Sequence, residues 1–131
     1  MKKAFDHIGV WTTEQQEGER WVPETEVWVT NPRKHPGRIE FLRPKQPPQI
    51  SRDQPGLWKL WNYPHIAYRV DSLAQAIEGK ELVYGPFEPG GPFVIVAFVL
   101  EHGAVIEYLE YRDLNHWFGE ANPPGWEPEP W

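Results

Sequence analysis

Two short stretches of this chain break the same rule in the same way, and a second pair of stretches repeats them. In Tyr63-Pro64-His65-Ile66-Ala67-Tyr68-Arg69-Val70 the apolar residues Ile66, Tyr68 and Val70 alternate with His65, Ala67 and Arg69, the period of a β-strand whose side chains face opposite sides. In Gly103-Ala104-Val105-Ile106-Glu107-Tyr108-Leu109 the same period puts Glu107 on one face with Val105 and Leu109. A carboxylate on a half-apolar strand face costs several kcal/mol, in rough terms, if buried without a donor or counter-charge. It requires a partner, and His65 is the nearest candidate in kind.

The repeat gives this pattern weight. Asp6-His7-Ile8-Gly9-Val10 echoes Pro64-His65-Ile66-Ala67-Tyr68, and Arg38-Ile39-Glu40-Phe41-Leu42 echoes Val105-Ile106-Glu107-Tyr108-Leu109. The order is His, Glu, His, Glu. The histidines are 58 residues apart and the glutamates 67, so the first copy is nine residues shorter between its His and its Glu. Duplication with one trimmed loop explains this most simply.

The elements follow from local signals. Residues 4–11 form a first strand with Phe5, His7, Gly9 and Trp11 on one face. Residues 12–20, starting at Thr12-Thr13, lack an apolar stripe and form a loop or a frayed short helix. Strands are expected over 26–30 and 38–43. The connector, residues 44–64, holds Pro44, Pro47, Pro48, Pro55 and Pro64, is barred from a central strand, and should lie across the surface with Trp58 and Trp61 covering something. After the His65 strand, Asp71 is the expected N-cap of a helix carrying Leu73, Ala76 and Ile77 on one side, ended by Gly79. Strands over 81–84 and 93–100 and a tight turn at Glu101-His102-Gly103 complete a β-α-β-β-β order. The tail, residues 115–131, either docks its Trp residues or is disordered.

The fold class expected is therefore α+β: two βαβββ modules, the first with a reduced helix. One domain spans residues 1–131, with module one at 4–45, a connector at 44–64 and module two at 63–112. Such a chain is long enough to bury a core. The 15 Pro imply many enforced loops, and the 8 Trp imply a thick core or an aromatic-lined cavity.

Charge excludes some functions. A net charge of −6 with no basic cluster longer than Arg33-Lys34 argues against nucleic-acid binding. The absence of cysteine removes disulfides, thiolate metal sites and cysteine nucleophiles. Met1-Lys2-Lys3 runs straight into strand-like sequence without an apolar signal core, and no run is long enough to span a membrane, so the expectation is a cytoplasmic protein with no membrane partner.

A duplicated β-α-β-β-β unit with His early in its first strand and Glu within its last resembles the vicinal oxygen chelate superfamily, the group of glyoxalase I, bleomycin-resistance proteins and extradiol dioxygenases. The likeness spans about residues 4–112 and rests on Asp6-His7-Ile8-Gly9-Val10, Ile106-Glu107-Tyr108-Leu109 and Val70-Asp71-Ser72-Leu73. It implies that the two modules curl as half-barrels into a curved mixed sheet around a cavity, with one divalent metal ion (Zn, Ni, Mn, Fe or Co) held by His7, Glu40, His65 and Glu107, a set closest to that of glyoxalase I. It implies a lyase or isomerase acting through an enediolate-type intermediate on a small substrate with vicinal oxygens, Glu107 and Glu40 being the catalytic carboxylates. Apart from the resemblance, Trp11, Trp58 and Trp61 are read as lining a substrate cavity or plugging the concave sheet face, and Arg69, which shares a strand face with His65, as an anion-binding residue. The alternatives within the resemblance are a drug-sequestering binding protein and a ferrous dioxygenase, and its usual assembly is a homodimer. His35, His102 and His116 read as surface residues.

Overall fold

The computed structural model describes all residues, 1–131. The first module contributes β1 (Lys3–Trp11), β2 (Arg20–Val22), β3 (Val27–Val29) and β4 (Ile39–Pro44), with a single 3-10 turn at Pro32–Lys34. A helix α1 (Pro55–Asn62) precedes the second module, which consists of β5 (His65–Val70), α2 (Leu73–Ile77), β6 (Glu81–Phe87), β7 (Val94–Glu101) and β8 (Ala104–Tyr111). A small hairpin, β9 (His116–Trp117) with β10 (Glu120–Ala121), follows.

Eight strands make one sheet in the order β2-β3-β4-β1-β5-β8-β7-β6. The order is a palindrome of modules: β1 pairs parallel with β4, β5 parallel with β8, and β1 with β5 antiparallel at the seam. The sheet curls until residues of its two outermost strands, Val22 and Phe87, line the same cavity. The expected α+β half-barrel is therefore the fold.

Each face of the sheet has its own apolar cluster. Outside the curl, Leu73 and Ala76 of α2 pack against Val70, Ala97, Val99 and Tyr108. Inside it, Ala67, Val94, Val96 and Leu109 form one wall, and Val22, Val27, Val29, Leu42 and Trp117 form the other. Trp117 places the β9–β10 hairpin against the first module, so the segment after β8 docks as an ordered part of the fold.

Four local expectations change. Phe5 does not share a face with His7, because the β1–β5 register shifts between them and Asp6 is the extra residue of a bulge. Ser72, and not Asp71, caps α2 by accepting a hydrogen bond from the Gln75 N–H, while Asp71 accepts one from Lys2 N. The connector contains a two-turn helix, α1, with Pro55 in its first turn, where a proline's missing N–H costs nothing. Between β1 and β2 the chain is a loop, one of the two readings of residues 12–20, but it ends in β2, a strand that the polar run did not announce.

Candidate metal centre

The β1–β5 seam and its two parallel flanks bring the repeated residues together. Gly9 is registered with His65 across the seam and with Glu40 on the other side; Ala67 is registered with His7 across the seam and with Glu107 on the other side. Each small residue thus lies between one module's His and a Glu. A side chain beyond hydrogen at Gly9 would collide with the His65 imidazole, so the glycine is what lets that ring lie over the seam.

Three of the four ligand-type residues converge tightly. His65 Nε2 lies 3.0 Å and His7 Nε2 3.2 Å from the same oxygen, Glu107 Oε1. Suitable donor atoms of His7, His65 and Glu107 all fall within 4.8 Å of one another. Glu40 stands beside this triad, its Oε1 3.5 Å from His7 Nε2. His7, His65 and Glu107 are buried, and the Glu40 side chain is 14% exposed.

A bulge and a tyrosine orient His7. Its Nδ1–H donates to Asp6 Oδ1 at 2.6 Å, and the Tyr111 hydroxyl donates to the same carboxylate at 3.1–3.2 Å. This fixes Nε2 as the atom turned toward the carboxylates, and Nε2 has no aligned hydrogen bond of its own. A carboxylate holding the far nitrogen of an imidazole is the usual outer support of a metal-ligating histidine. In the second module Pro64 stands where Asp6 stands in the first, and His65 Nδ1 has no partner.

The electrostatics are those of carboxylates and imidazoles crowded out of water. Burial first, and then the charges of Glu107 and Asp6, push Glu40 up to about 8 despite His7 nearby. Burial also opposes charge on Glu107, but His7 and His65 outweigh it and hold this carboxyl down to about 2. Burial disfavours the His7 imidazolium, yet Glu40, Glu107 and Asp6 together raise His7 well above its ordinary value. Without a cation the cluster therefore holds protons in its place.

These residues fit a divalent ion. Two imidazole nitrogens and a carboxylate oxygen meet at one point, a second carboxylate adjoins them, and a buried nitrogen is left without a hydrogen-bond partner. Nitrogen and oxygen donors of this kind suit Zn, Mn, Fe, Co or Ni. The centre forms the polar corner of a cavity of about 240 Å³, otherwise walled mainly by aliphatic and aromatic side chains.

The other residues singled out from the sequence divide. Trp11 and Trp61 line the cavity and stack on each other with centroids 4.6 Å apart; Trp11 Nε1–H is anchored to the Leu60 carbonyl of α1. Trp58 lies outside the lining, against Tyr63 and Arg52. Arg69 is also outside it. Its guanidinium lies 3.7 Å from the Trp131 ring centroid and donates to the Glu129 carbonyl. His102 and His116 are exposed, and His35 is half-buried against Phe41. Sequence reasoning overlooked Asp6 and Tyr111. The signal available for Tyr111 was parity, since residues 107, 109 and 111 share a strand face.

No protein-family model matches the chain, and no curated protein matches it in sequence. Among solved structures, a hypothetical protein from Bacillus halodurans C-125 (BH1468) is similar over 89% of this chain and 100% of its own, with 21% identity and a TM-score of 0.62. A mutant of 4-hydroxymandelate synthase from Streptomyces coelicolor aligns over 88% of this chain and 50% of its own, with 13% identity and a TM-score of 0.48. The first similarity supports the fold. No helix is long and apolar enough to cross a membrane.

Proposed function

We propose that the protein is a divalent-metal enzyme of vicinal-oxygen-chelate type, with His7, His65 and Glu107 as ligands and Glu40 as the neighbouring proton-transfer group, acting as a lyase or isomerase on a small substrate with adjacent oxygens. The observation that carries this reading is the meeting of both His Nε2 atoms on one Glu107 oxygen at the polar corner of an apolar cavity. A bound divalent ion would supply Lewis-acid polarisation of a substrate oxygen.

The chain's own residues do the rest. Glu40 is close enough to the triad to accept a proton from a carbon held next to it and return it to the neighbouring carbon, as a general acid–base group must. Asp6 holds His7 in one tautomer. The surrounding aliphatic and aromatic walls exclude water and favour turning the substrate oxygens to the His–Glu corner. Because Glu40 adjoins the triad without joining its tight convergence, the set resembles that of glyoxalase I in composition more than in arrangement.

A second reading has a specific observation behind it. Two His and one carboxylate around an open corner is also the arrangement of non-haem ferrous oxygenases. The experiment that tests both is elemental analysis of the purified protein beside His65→Ala, followed by incubation of wild type and Glu40→Gln with an α-hydroxyketone in D2O under an oxygen electrode. About one metal per chain, lost in His65→Ala, with Glu40-dependent deuterium incorporation supports the isomerase-type reading. Iron with oxygen uptake that survives Glu40→Gln moves the assignment to the second, and no metal after reconstitution overturns both.

A further inference from the structure

We infer that the cavity takes an uncharged, ring-containing molecule and excludes organic anions, and that the C-terminal segment contributes to this by engaging Arg33, Arg38 and Arg69. This rests on the proposed function only for which end of the ligand faces the triad. The residues lining the cavity include no Lys and no Arg, and three of them are acids, Glu24, Glu40 and Glu107. A carboxylate or phosphate entering would lose its hydration, find no Lys or Arg on the wall, and meet imidazoles already engaged by Glu107. Two carboxylates balance a divalent ion, so metal loading does not make this corner strongly anion-attracting.

The walls point to the ligand's shape. Trp11 and Trp61 stack along one side, and Phe87, Phe93, Phe98 and Phe118 contribute further aromatic surface. A volume equivalent to roughly eight molecules of liquid water suits one or two rings and no bulky conjugate. Aromatic walls favour stacked or edge-on rings beyond the gain from area alone.

Three arginines of the two modules are engaged by the C-terminal segment. Arg69, two residues beyond Ala67 on the same strand face, lies under Trp131 and donates to Glu129. Arg33 stands against Tyr111 and Trp126 and donates to Leu114 and Asn122. Arg38 pairs with Glu129 and donates to the Glu127 carbonyl. Residues 122–131 therefore cover three arginines, among them Arg69, the residue expected from the sequence to bind an anion.

The test is calorimetric titration of the metal-free, full-length protein with three isosteres: 2-naphthalenemethanol, 2-naphthoate and 2-naphthylmethylammonium. The alcohol is expected to bind tightest, with naphthoate at least tenfold weaker, and Trp61→Leu to weaken the alcohol about fivefold while Trp58→Leu leaves it unchanged. Naphthoate within tenfold of the alcohol, an ammonium tighter than the alcohol, or no heat with any of the three overturns the inference. Metal content is measured on the same preparations. Ligand binding without metal uptake sinks the enzymatic reading and keeps this one; metal uptake without ligand binding does the reverse.

Discussion

Gly9 lies directly across the β1–β5 seam from His65, in the space that any β-carbon at that position would take from the imidazole ring. The Gly9→Ala variant should therefore push His65 away from Glu107. Overpacking of this kind costs typically about 1–3 kcal/mol, and the displaced ligand should lower metal affinity further. Thermal unfolding of the metal-free protein reads the first effect, and metal retention on dialysis reads the second. Full retention in Gly9→Ala would mean that the His65 ring does not depend on that space.

Asp6 supports one histidine, and the other has no such support. Removing an outer-shell carboxylate usually weakens metal binding by about 10–100-fold, so Asp6→Asn should lose affinity in that range with the fold intact. Tyr111→Phe should lose less, because the hydroxyl acts on Asp6 and not on His7 itself. Competition with a metallochromic chelator measures both.

The metal-free protein should become less stable as pH rises from about 5 to 8. Glu40 is raised to about 8, so its proton is bound in the folded state and already lost in the unfolded chain across this window. His7 is raised too, and its contribution is present below its unfolded value and lost as pH rises through its folded one. Glu107, held to about 2, contributes above its unfolded value and loses that contribution only under strong acid. A Glu40→Gln protein should show a flatter melting profile over the same window. In the loaded protein the slope should reverse, because an ion replaces those protons and binding releases roughly two of them near neutral pH. Proton release is read by calorimetry in buffers of different ionisation enthalpy.

Tryptophans should separate by position. Trp117 is 3% exposed within the first-module wall, and Trp117→Ala should cost about 3–5 kcal/mol, as large-to-small core changes do. Trp58→Ala, outside both the cavity and the buried clusters, should cost far less. Chemical denaturation of the two variants gives the comparison.

The duplicated strands were legible because alternation and repetition are local and additive: His7, Glu40, His65 and Glu107 each occupy a position that a period of two assigns to one face. What alternation cannot carry is a register break, and the Asp6 bulge moved Phe5 to the other face while aiming a carboxylate at His7. Helix α1 was hidden by its own start, since Pro55 reads equally as a breaker and as a first-turn residue. The environment of Arg69 depends on Trp131, which lies 62 positions away in the chain. Contacts of that range leave no periodic trace.

The missing first-module helix has a mechanical consequence. The second module's strands are covered by α2 on the outside and by the cavity cluster on the inside, whereas the first module's outer face, with Ile8, Val10 and Phe41 only partly buried, has no helix over it. Opening fluctuations start where burial is thinnest, which assigns the looser half to β1–β4 and the firmer half to β5–β8. His7 and Glu40 ride on the looser half and His65 and Glu107 on the firmer one, so whatever bridges them works as a rivet: it lends one half of the barrel the rigidity of the other, and its loss frees the two to breathe apart.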